Sequence, residues 1–164
     1  MVKTVSLLAL CLLVAAPACA AEPVNNPSHL PIPRFAALRS GKVNMRTGPG
    51  MRYPIEWVYT RKGLPVEVVA EYDIWRRVRD PEGSEGWVNK TEITGRRGLI
   101  VTGGTRELRN DADAKASIAA HLETGATGHL VACAPNWCKA EFGDIKGYLR
   151  KTEFWGAYPN ETFD

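Results

Sequence analysis

The segment Gly86-Trp87-Val88-Asn89-Lys90-Thr91-Glu92-Ile93 decides the fold, because the chain uses its pattern twice. The second occurrence is Gly147-Tyr148-Leu149-Arg150-Lys151-Thr152-Glu153-Phe154. Aromatic and aliphatic positions coincide in the two segments, and Lys-Thr-Glu is identical. Such self-similarity at a fixed spacing is the signature of an internal repeat.

Positions upstream of this segment align in the same way. They include Met45-Arg46 with Leu108-Arg109, Ile55 with Ile118, and Trp75 with Trp137. The spacing between equivalent positions varies by one or two residues, as expected when loops differ in length between the copies. We therefore predict two copies of one unit, residues 38–94 and 99–155, followed by a tail at 156–164.

Each copy has the alternation of β-strands. PVEVVAEY (65–72) places Val66 and Val68 on one face and the glutamates on the other, and WRRVR (75–79) follows after a tight connection. DADAKASIAAHLETG (111–125) is alanine-rich like a helix, but its counterpart in the first unit contains two prolines. Repeat symmetry therefore favours a turn and a strand there, with at most one helical turn. Short strands at this spacing predict an all-β protein made of small barrels or sandwiches.

The N-terminal region predicts export. Residues 1–20 combine Lys3, an apolar run and a small-residue end, as in a secretory signal peptide cleaved near Ala20-Ala21. The alternative is a lipoprotein signal acylated at Cys19, although the large aliphatic residue usual three positions earlier is missing. Residues 21–37 begin with a proline-rich stretch and are predicted to form an extended arm. The expected location is periplasmic or secreted.

Cys133 and Cys138 would remain after cleavage. They flank a turn-like stretch, so two strands joined by that turn would place them opposite each other, and export favours a disulfide. The alternative is a metal site with His121 and His129, whose spacing is less regular than that of common zinc motifs. We expect the disulfide, and no bound metal or cofactor.

The glycines of Asn44-Met45-Arg46-Thr47-Gly48-Pro49-Gly50 raise the question of a phosphate-binding loop. No Lys-Ser/Thr pair follows them, Pro54 opposes a helix, and no βαβ unit surrounds them. We predict a turn instead, in which glycine provides positive φ. The second unit has Asn110-Asp111-Ala112-Asp113 at these positions.

In this order, VNMRTGPGMRYP (43–54), PVEVV (65–69), WRRV (75–78) and GWV (86–88) resemble a bacterial SH3 domain. The second unit resembles a degenerate copy that lacks the Gly-Pro-Gly turn. The resemblance implies two tandem five-stranded SH3-like β-barrels. It also implies a non-catalytic binding role, toward peptidoglycan or an envelope protein.

Six residues of the first unit are candidate ligand contacts. Trp75 shares a strand face with Arg77, although its alternative role is packing. Aromatic side chains in and after the turn suit an extended ligand in a groove. The full set is Arg46, Tyr53, Trp57, Tyr59, Trp75 and Arg77. Trp87 and Tyr148 are expected in the core.

Other function classes have little support. The formal net charge is +3, without a dense basic run, which argues against nucleic-acid binding. No later segment could span a membrane, and no histidine, cysteine or carboxylate cluster suggests catalysis. The predicted function is a cell-envelope binding module that recognises peptidoglycan or a wall peptide through the first unit. The alternative is a periplasmic protein–protein adaptor.

Overall fold

The computed structural model describes residues 26–164. The predicted signal peptide, its cleavage site and Cys19 lie outside the described residues. Residues 26–164 form an all-β structure with two sheets of seven strands each, which confirms the predicted fold class. Among them, no helix is long and apolar enough to cross a membrane.

The first unit contains seven strands in the order β3-β2-β6-β5-β4-β1-β7. Its strands are β1 (Arg34–Leu38), β2 (Val43–Arg46), β3 (Ile55–Tyr59), β4 (Pro65–Tyr72), β5 (Trp75–Arg79), β6 (Glu85–Asn89) and β7 (Ile93–Thr94). A single 3₁₀ turn, Lys90–Glu92, connects β6 to β7.

The second unit repeats this topology in the order β10-β9-β13-β12-β11-β8-β14. Its strands are β8 (Gly98–Val101), β9 (Arg106–Arg109), β10 (Ile118–Leu122), β11 (Thr127–Cys133), β12 (Trp137–Phe142), β13 (Ile145–Arg150) and β14 (Phe154–Trp155). The Lys151–Glu153 turn matches the first one. Strand β10 lies inside the alanine-rich segment, so the choice of a turn and a strand over a helix is confirmed.

Each sheet has two strands more than the five predicted. Strand β1 begins at Arg34, inside the segment predicted to be an extended arm, and pairs with β4. The two-residue strand β7 then pairs with β1. The additional pairing occurs because Ala36 and Leu38 are core residues, and a strand with a buried face requires hydrogen-bonded neighbours.

The core of the first unit receives side chains from all seven strands. They are Ala36, Leu38, Val43, Met45, Tyr59, Val66, Val68, Val78, Val88 and Ile93. A sheet whose strands all contribute to one cluster must curl around it, as in a small barrel. The second unit has an equivalent cluster, which includes both cysteines.

The disulfide between Cys133 and Cys138 is confirmed. Its sulfurs are 1.98 Å apart, and the two residues are directly paired between β11 and β12. Bonded sulfurs cannot act as thiolate ligands. In addition, the Nδ1 atom of His129 lies 2.8 Å from the carbonyl oxygen of Arg97. The alternative cysteine–histidine metal site is therefore wrong.

The two units pack together through aromatic side chains. Phe35 on β1 contacts Trp155 edge-on at a centroid distance of 4.8 Å, and Tyr158 at 4.7 Å. The guanidinium of Arg97 lies 5.5 Å from the centre of the Phe35 ring. At Gly98 a Cβ would lie 2.7 Å from the carbonyl oxygen of Gly63, so the close approach of the units requires glycine.

The outer face of β4 carries two buried carboxylates. Glu71 accepts hydrogen bonds from the hydroxyl and the backbone N–H of Ser28, and forms ion pairs with Arg34 and Arg76. Glu67 accepts a hydrogen bond from Tyr158 of the tail. The arm therefore docks on one part of β4, and the tail on another.

Candidate ligand-binding surface

Arg46 holds the turn that contains the two glycines. Its guanidinium donates hydrogen bonds to the carbonyl oxygens of Tyr53, at 2.7 Å, and Met51, at 3.2 Å. In the second unit Arg109 donates to the carbonyl oxygen of Ala116, at 2.6 Å, across the same number of residues. The arginine that both copies keep therefore positions the turn.

The two glycines provide space for a tyrosine ring. Neither has a positive φ, so the predicted conformational role is wrong. A Cβ at Gly48 would lie 2.5 Å from Cδ1 of Tyr53, and one at Gly50 would lie 3.3 Å from its Cδ2. The second unit has Ala116 at the position of Tyr53, so it has no ring to accommodate there.

Trp57 is the large exposed aromatic of the first unit, with 58% of its surface accessible. It lies on β3, which is an edge strand of the sheet. Among the described strands, β3 pairs only with β2. The register between β2 and β3 shifts just beyond the Met45–Trp57 pair. The indole therefore lies at the open edge of the barrel.

Tyr59 shares the strand face of Trp57, yet only 5% of its surface is exposed. Its hydroxyl lies 3.1 Å from Oδ2 of Asp80 and 3.3 Å from the sulfur of Met45. Burial, followed by the charge of Asp80, raises the pKa of Tyr59 well above its ordinary value. Tyr59 is a core residue and not the surface contact that its sequence position predicts.

Trp75 has the packing role, since only 6% of its surface is exposed. Arg77 on the same strand is half exposed and forms an ion pair with Glu85 at 3.0 Å. Of the two alternatives for Trp75, the structure therefore favours packing over a ligand contact beside cations.

Two cavities flank Trp57. One, of about 330 Å³, is lined by Met45, Glu56, Trp57, Ser84 and Glu85. The other, of about 420 Å³, is lined by Trp57, Val58, Tyr59, Thr60, Arg61, Leu64, Asp80, Glu82, Ser84 and Ile100. Trp57 and Ser84 belong to both, so the indole stands between two recesses that a ligand could occupy together.

Carboxylates dominate the charge around these cavities. Glu85 is neutralised by Arg77 and by Arg79, which lies 2.7 Å from it. Within residues 26–164, Glu56 and Glu82 form no ion pair. The surface beside Trp57 is therefore neutral to acidic.

Sequence analysis missed three apolar side chains near Trp57. Met51 is 74% exposed, Ile55 47% and Val58 38%. A signal was available, since Ile55-Glu56-Trp57-Val58 places large apolar residues on both faces of one strand, and a barrel buries only one face. In the second unit Ile118 is exposed, but Ala120 takes the position of Trp57.

Trp87 and Tyr148 lie outside the core, contrary to prediction. Each is half-buried and lies between a buried glycine and a buried aliphatic residue. Trp87 pairs with Arg46 on one side and Arg77 on the other. Tyr148 pairs with Arg109 and Lys139 in the same way. Both units therefore carry an aromatic residue between two cations on the outer face.

The sequence profile of the bacterial SH3 domain family matches residues 39–95 and 104–156. The chain belongs to this family. Each match covers one of the two sheets except for its first strand, β1 or β8, and the two matches confirm the predicted resemblance. For this chain, tandem bacterial SH3 domains indicate a cell-wall-related binding module, and the domains with the disulfide indicate an extracytoplasmic protein.

Solved structures similar to these tandem SH3 domains share little sequence with them. NlpC1 from Trichomonas vaginalis is 9% identical, with a TM-score of 0.36, over 85% of this chain and 51% of that one. NlpC2 from the same organism is 9% identical, with a TM-score of 0.35, over 77% and 48%. An NlpC/P60 family protein from Bacillus cereus ATCC 10987 is 15% identical, with a TM-score of 0.34, over 73% and 55%.

This chain spans about half the length of the solved structures that it matches. No curated protein matches its sequence.

Proposed function

We propose that this protein is a non-catalytic, exported wall-binding module whose first SH3 domain holds peptidoglycan through Trp57 and Tyr53. The observation that carries the proposal is the exposed indole of Trp57 at an unpaired strand edge between two cavities. Contiguous exposed apolar residues indicate an interaction site, and Ile55 and Val58 are exposed on the same strand as Trp57. Tyr53 and its glycines fix the shape of the turn beside it.

The chemistry around Trp57 favours the peptide part of the wall. The unpaired backbone of β3 can hydrogen bond to an extended peptide, and alternate side chains of that peptide would meet Ile55 and Trp57. Glu56 and Glu82 would attract the free amine of a stem peptide. The indole face also suits the apolar face of a sugar ring.

The second SH3 domain has a supporting role in this proposal. Alanines replace both aromatic side chains at the corresponding positions, Ala116 for Tyr53 and Ala120 for Trp57. Its contacts with the first domain instead bury Phe35 and Glu67. The second domain therefore stabilises the first and adds no equivalent ligand surface.

The adaptor function is the second candidate, and the apolar residues along the edge strand favour it. Ile55, Trp57 and Val58 are exposed apolar side chains on an edge strand, which is also a surface for pairing with a strand of another protein. In that case the partner would be a periplasmic or secreted protein, and peptidoglycan would not compete with this partner for the Trp57 surface.

The test is retention on purified insoluble peptidoglycan. The purified protein is compared with Trp57→Ala and with Ile118→Ala, which removes an exposed side chain from the equivalent edge strand of the second domain. We expect saturable retention of the wild type and of Ile118→Ala, and loss of retention in Trp57→Ala. Circular dichroism establishes that each variant is folded.

A second arm uses peptidoglycan from which an amidase has removed the stem peptides. Loss of retention on this material would assign recognition to the stem peptide, and unchanged retention would assign it to the glycan. If the folded wild type is not retained on intact peptidoglycan, the wall-binding proposal is wrong, and the adaptor function takes its place.

A further inference from the structure

A second recess lies between the docked arm, the first domain and the C-terminal tail. It has a volume of about 730 Å³ and shares no lining residue with the cavities beside Trp57. Ser28, Pro31 and Pro33 of the arm form one wall, and Tyr158 and Glu161 of the tail contribute to another. We call this recess the arm groove.

Four cations line the arm groove, and three of them are already paired. Arg34 and Arg76 share one carboxylate, that of the buried Glu71. Arg97 pairs with Glu161, and Lys90 is the fourth cation. Since four cations face two carboxylates, the groove has an excess of positive charge.

Lys90 offers donors that the described chain does not use. Its side chain is exposed and has no hydrogen bond or ion pair to residues 26–164. Arg97, in contrast, uses its terminal nitrogens for Glu161 and for the carbonyl oxygen of Gly156. Its Nε atom has no partner within the same residues, but it is buried, so a ligand in the groove cannot contact it.

The groove already shows how it binds a carboxylate. Glu161 contacts both terminal nitrogens of Arg97, one at 2.7 Å, and accepts a hydrogen bond from the backbone N–H of Tyr158 at 3.1 Å. Arg97 and this backbone donor together keep the pKa of Glu161 below its ordinary value. Glu161 itself occupies these donors, so the carboxylate of a ligand would bind at Lys90.

The other walls suit a peptide. Tyr158 provides a half-buried aromatic ring, whereas Phe35 itself is buried, and Leu30 is half exposed at the rim beside the two prolines. An extended segment could place apolar side chains on these walls while a carboxylate meets Lys90.

We propose that the arm groove binds an acidic segment of a protein partner, through a carboxylate that contacts Lys90 and is attracted by the net positive charge of the groove. This site is independent of the proposed wall-binding function, because its residues lie outside the Trp57 surface. It makes the protein a bridge between the wall and an acidic partner.

Isothermal titration calorimetry with the peptide acetyl-Glu-Ala-Glu-Ala-amide tests the proposal. The matched peptide acetyl-Gln-Ala-Gln-Ala-amide has the same length without the charges. We expect the glutamate peptide to bind at least about tenfold more tightly, and its affinity to fall as salt rises. Equal affinity for the two peptides, or no binding of the glutamate peptide, would overturn the proposal.

The matched variants are Lys90→Gln and Lys115→Gln. Both remove one exposed lysine charge, but Lys115 lies in the loop before β10, away from the groove. We expect Lys90→Gln to weaken binding of the glutamate peptide about tenfold and Lys115→Gln to leave it unchanged. Equal affinities of these two variants would overturn the site.

A third titration uses a soluble stem peptide from peptidoglycan. Tighter binding of this peptide at Lys90 would contradict the assignment to a protein partner. Weaker binding than that of the glutamate peptide would support it. Retention on peptidoglycan, measured with Lys90→Gln, is expected to equal that of the wild type, which separates this site from the Trp57 surface.

Discussion

The hydroxyl of Tyr158 donates a 2.8 Å hydrogen bond to Oε1 of Glu67, and so joins the tail after the second domain to a strand of the first. Glu67 is 8% exposed and also forms an ion pair with Arg79 at 3.1 Å. The contact explains why a glutamate is buried on the outer face of β4. The second domain completes the surface of the first.

Replacing Tyr158 with phenylalanine should therefore destabilise the protein. Glu67 would lose one of its two partners while remaining covered, at a cost of about 1–2 kcal/mol in the free energy of unfolding. Urea denaturation measures the change. Tyr148→Phe is the control, since Tyr148 is similarly half-buried and its hydroxyl has no hydrogen bond within residues 26–164. Equal effects of both variants would contradict a specific role for the contact.

Docking of the arm should depend on pH through Glu71. Burial alone would raise the pKa of this carboxyl, but hydrogen bonds from Ser28 and Arg34 and the charge of Arg76 outweigh it, so the pKa lies below 4.5. Because the pKa of Glu71 is lower in the folded state, its carboxylate stabilises the folded protein above pH 4.5. This stabilisation is lost as the pH falls through the pKa that Glu71 has in the folded state.

Glu71→Gln should accordingly reduce the free energy of unfolding by about 2 kcal/mol at pH 7. The difference from the wild type should shrink as the pH falls well below 4.5, because the wild-type carboxyl is then protonated as well. Urea titrations at a series of pH values measure this. Glu123→Gln, which replaces an exposed glutamate, is the control and should be as stable as the wild type at each pH. A stability difference between Glu71→Gln and the wild type that stays constant with pH would contradict the predicted dependence on the ionisation of Glu71.

The glycines of the turn should be required for space and not for backbone conformation. Gly48→Ala would place a methyl group against the Tyr53 ring, displacing it at a cost of about 1–2 kcal/mol and weakening retention on peptidoglycan. Gly95→Ala is the matched control, because nothing lies within 4 Å of its added Cβ. Thermal unfolding and the retention assay should separate the two variants, and a neutral Gly48→Ala would show that the ring position is unimportant.

Reduction of the disulfide should affect stability without removing wall binding. The loop between Cys133 and Cys138 is short, so chain entropy gives a stabilisation of only about 2 kcal/mol. Urea unfolding with and without dithiothreitol measures this value. Retention on peptidoglycan by the reduced, folded protein should be unchanged, because the Trp57 surface is in the other domain. Loss of retention on reduction would indicate that the second domain takes part in binding.

The repeat made most of the fold predictable. Gly-aromatic-aliphatic segments followed by Lys-Thr-Glu identified equivalent strand ends, and the prolines of one copy excluded a helix in the other. Periodicity, however, reports only which side chains share a face. Glu67 and Glu71 lie on the outer face as predicted, but the arm and tail that bury them are distant in sequence.

The same limit explains the errors at the candidate surface. Trp57 and Tyr59 share a face, yet the first lies at the open edge and the second over the core, which strand parity alone cannot distinguish. The role of Gly48 depends on Tyr53 folding back over it, and that is a tertiary contact. Trp57 and Tyr53 remain predicted ligand contacts, because these large aromatics of one copy have alanines as counterparts in the other.

The most direct test of the central claim is a nuclear magnetic resonance titration of the isotope-labelled protein with soluble peptidoglycan fragments. It reports which backbone amides meet the ligand. We predict shift changes at Tyr53–Val58 and at Ser84 and Glu85, with no comparable changes at residues 116–122 of the second domain. Equal changes in both domains, or changes that leave the Trp57 surface untouched, would contradict the assignment of wall binding to the first domain.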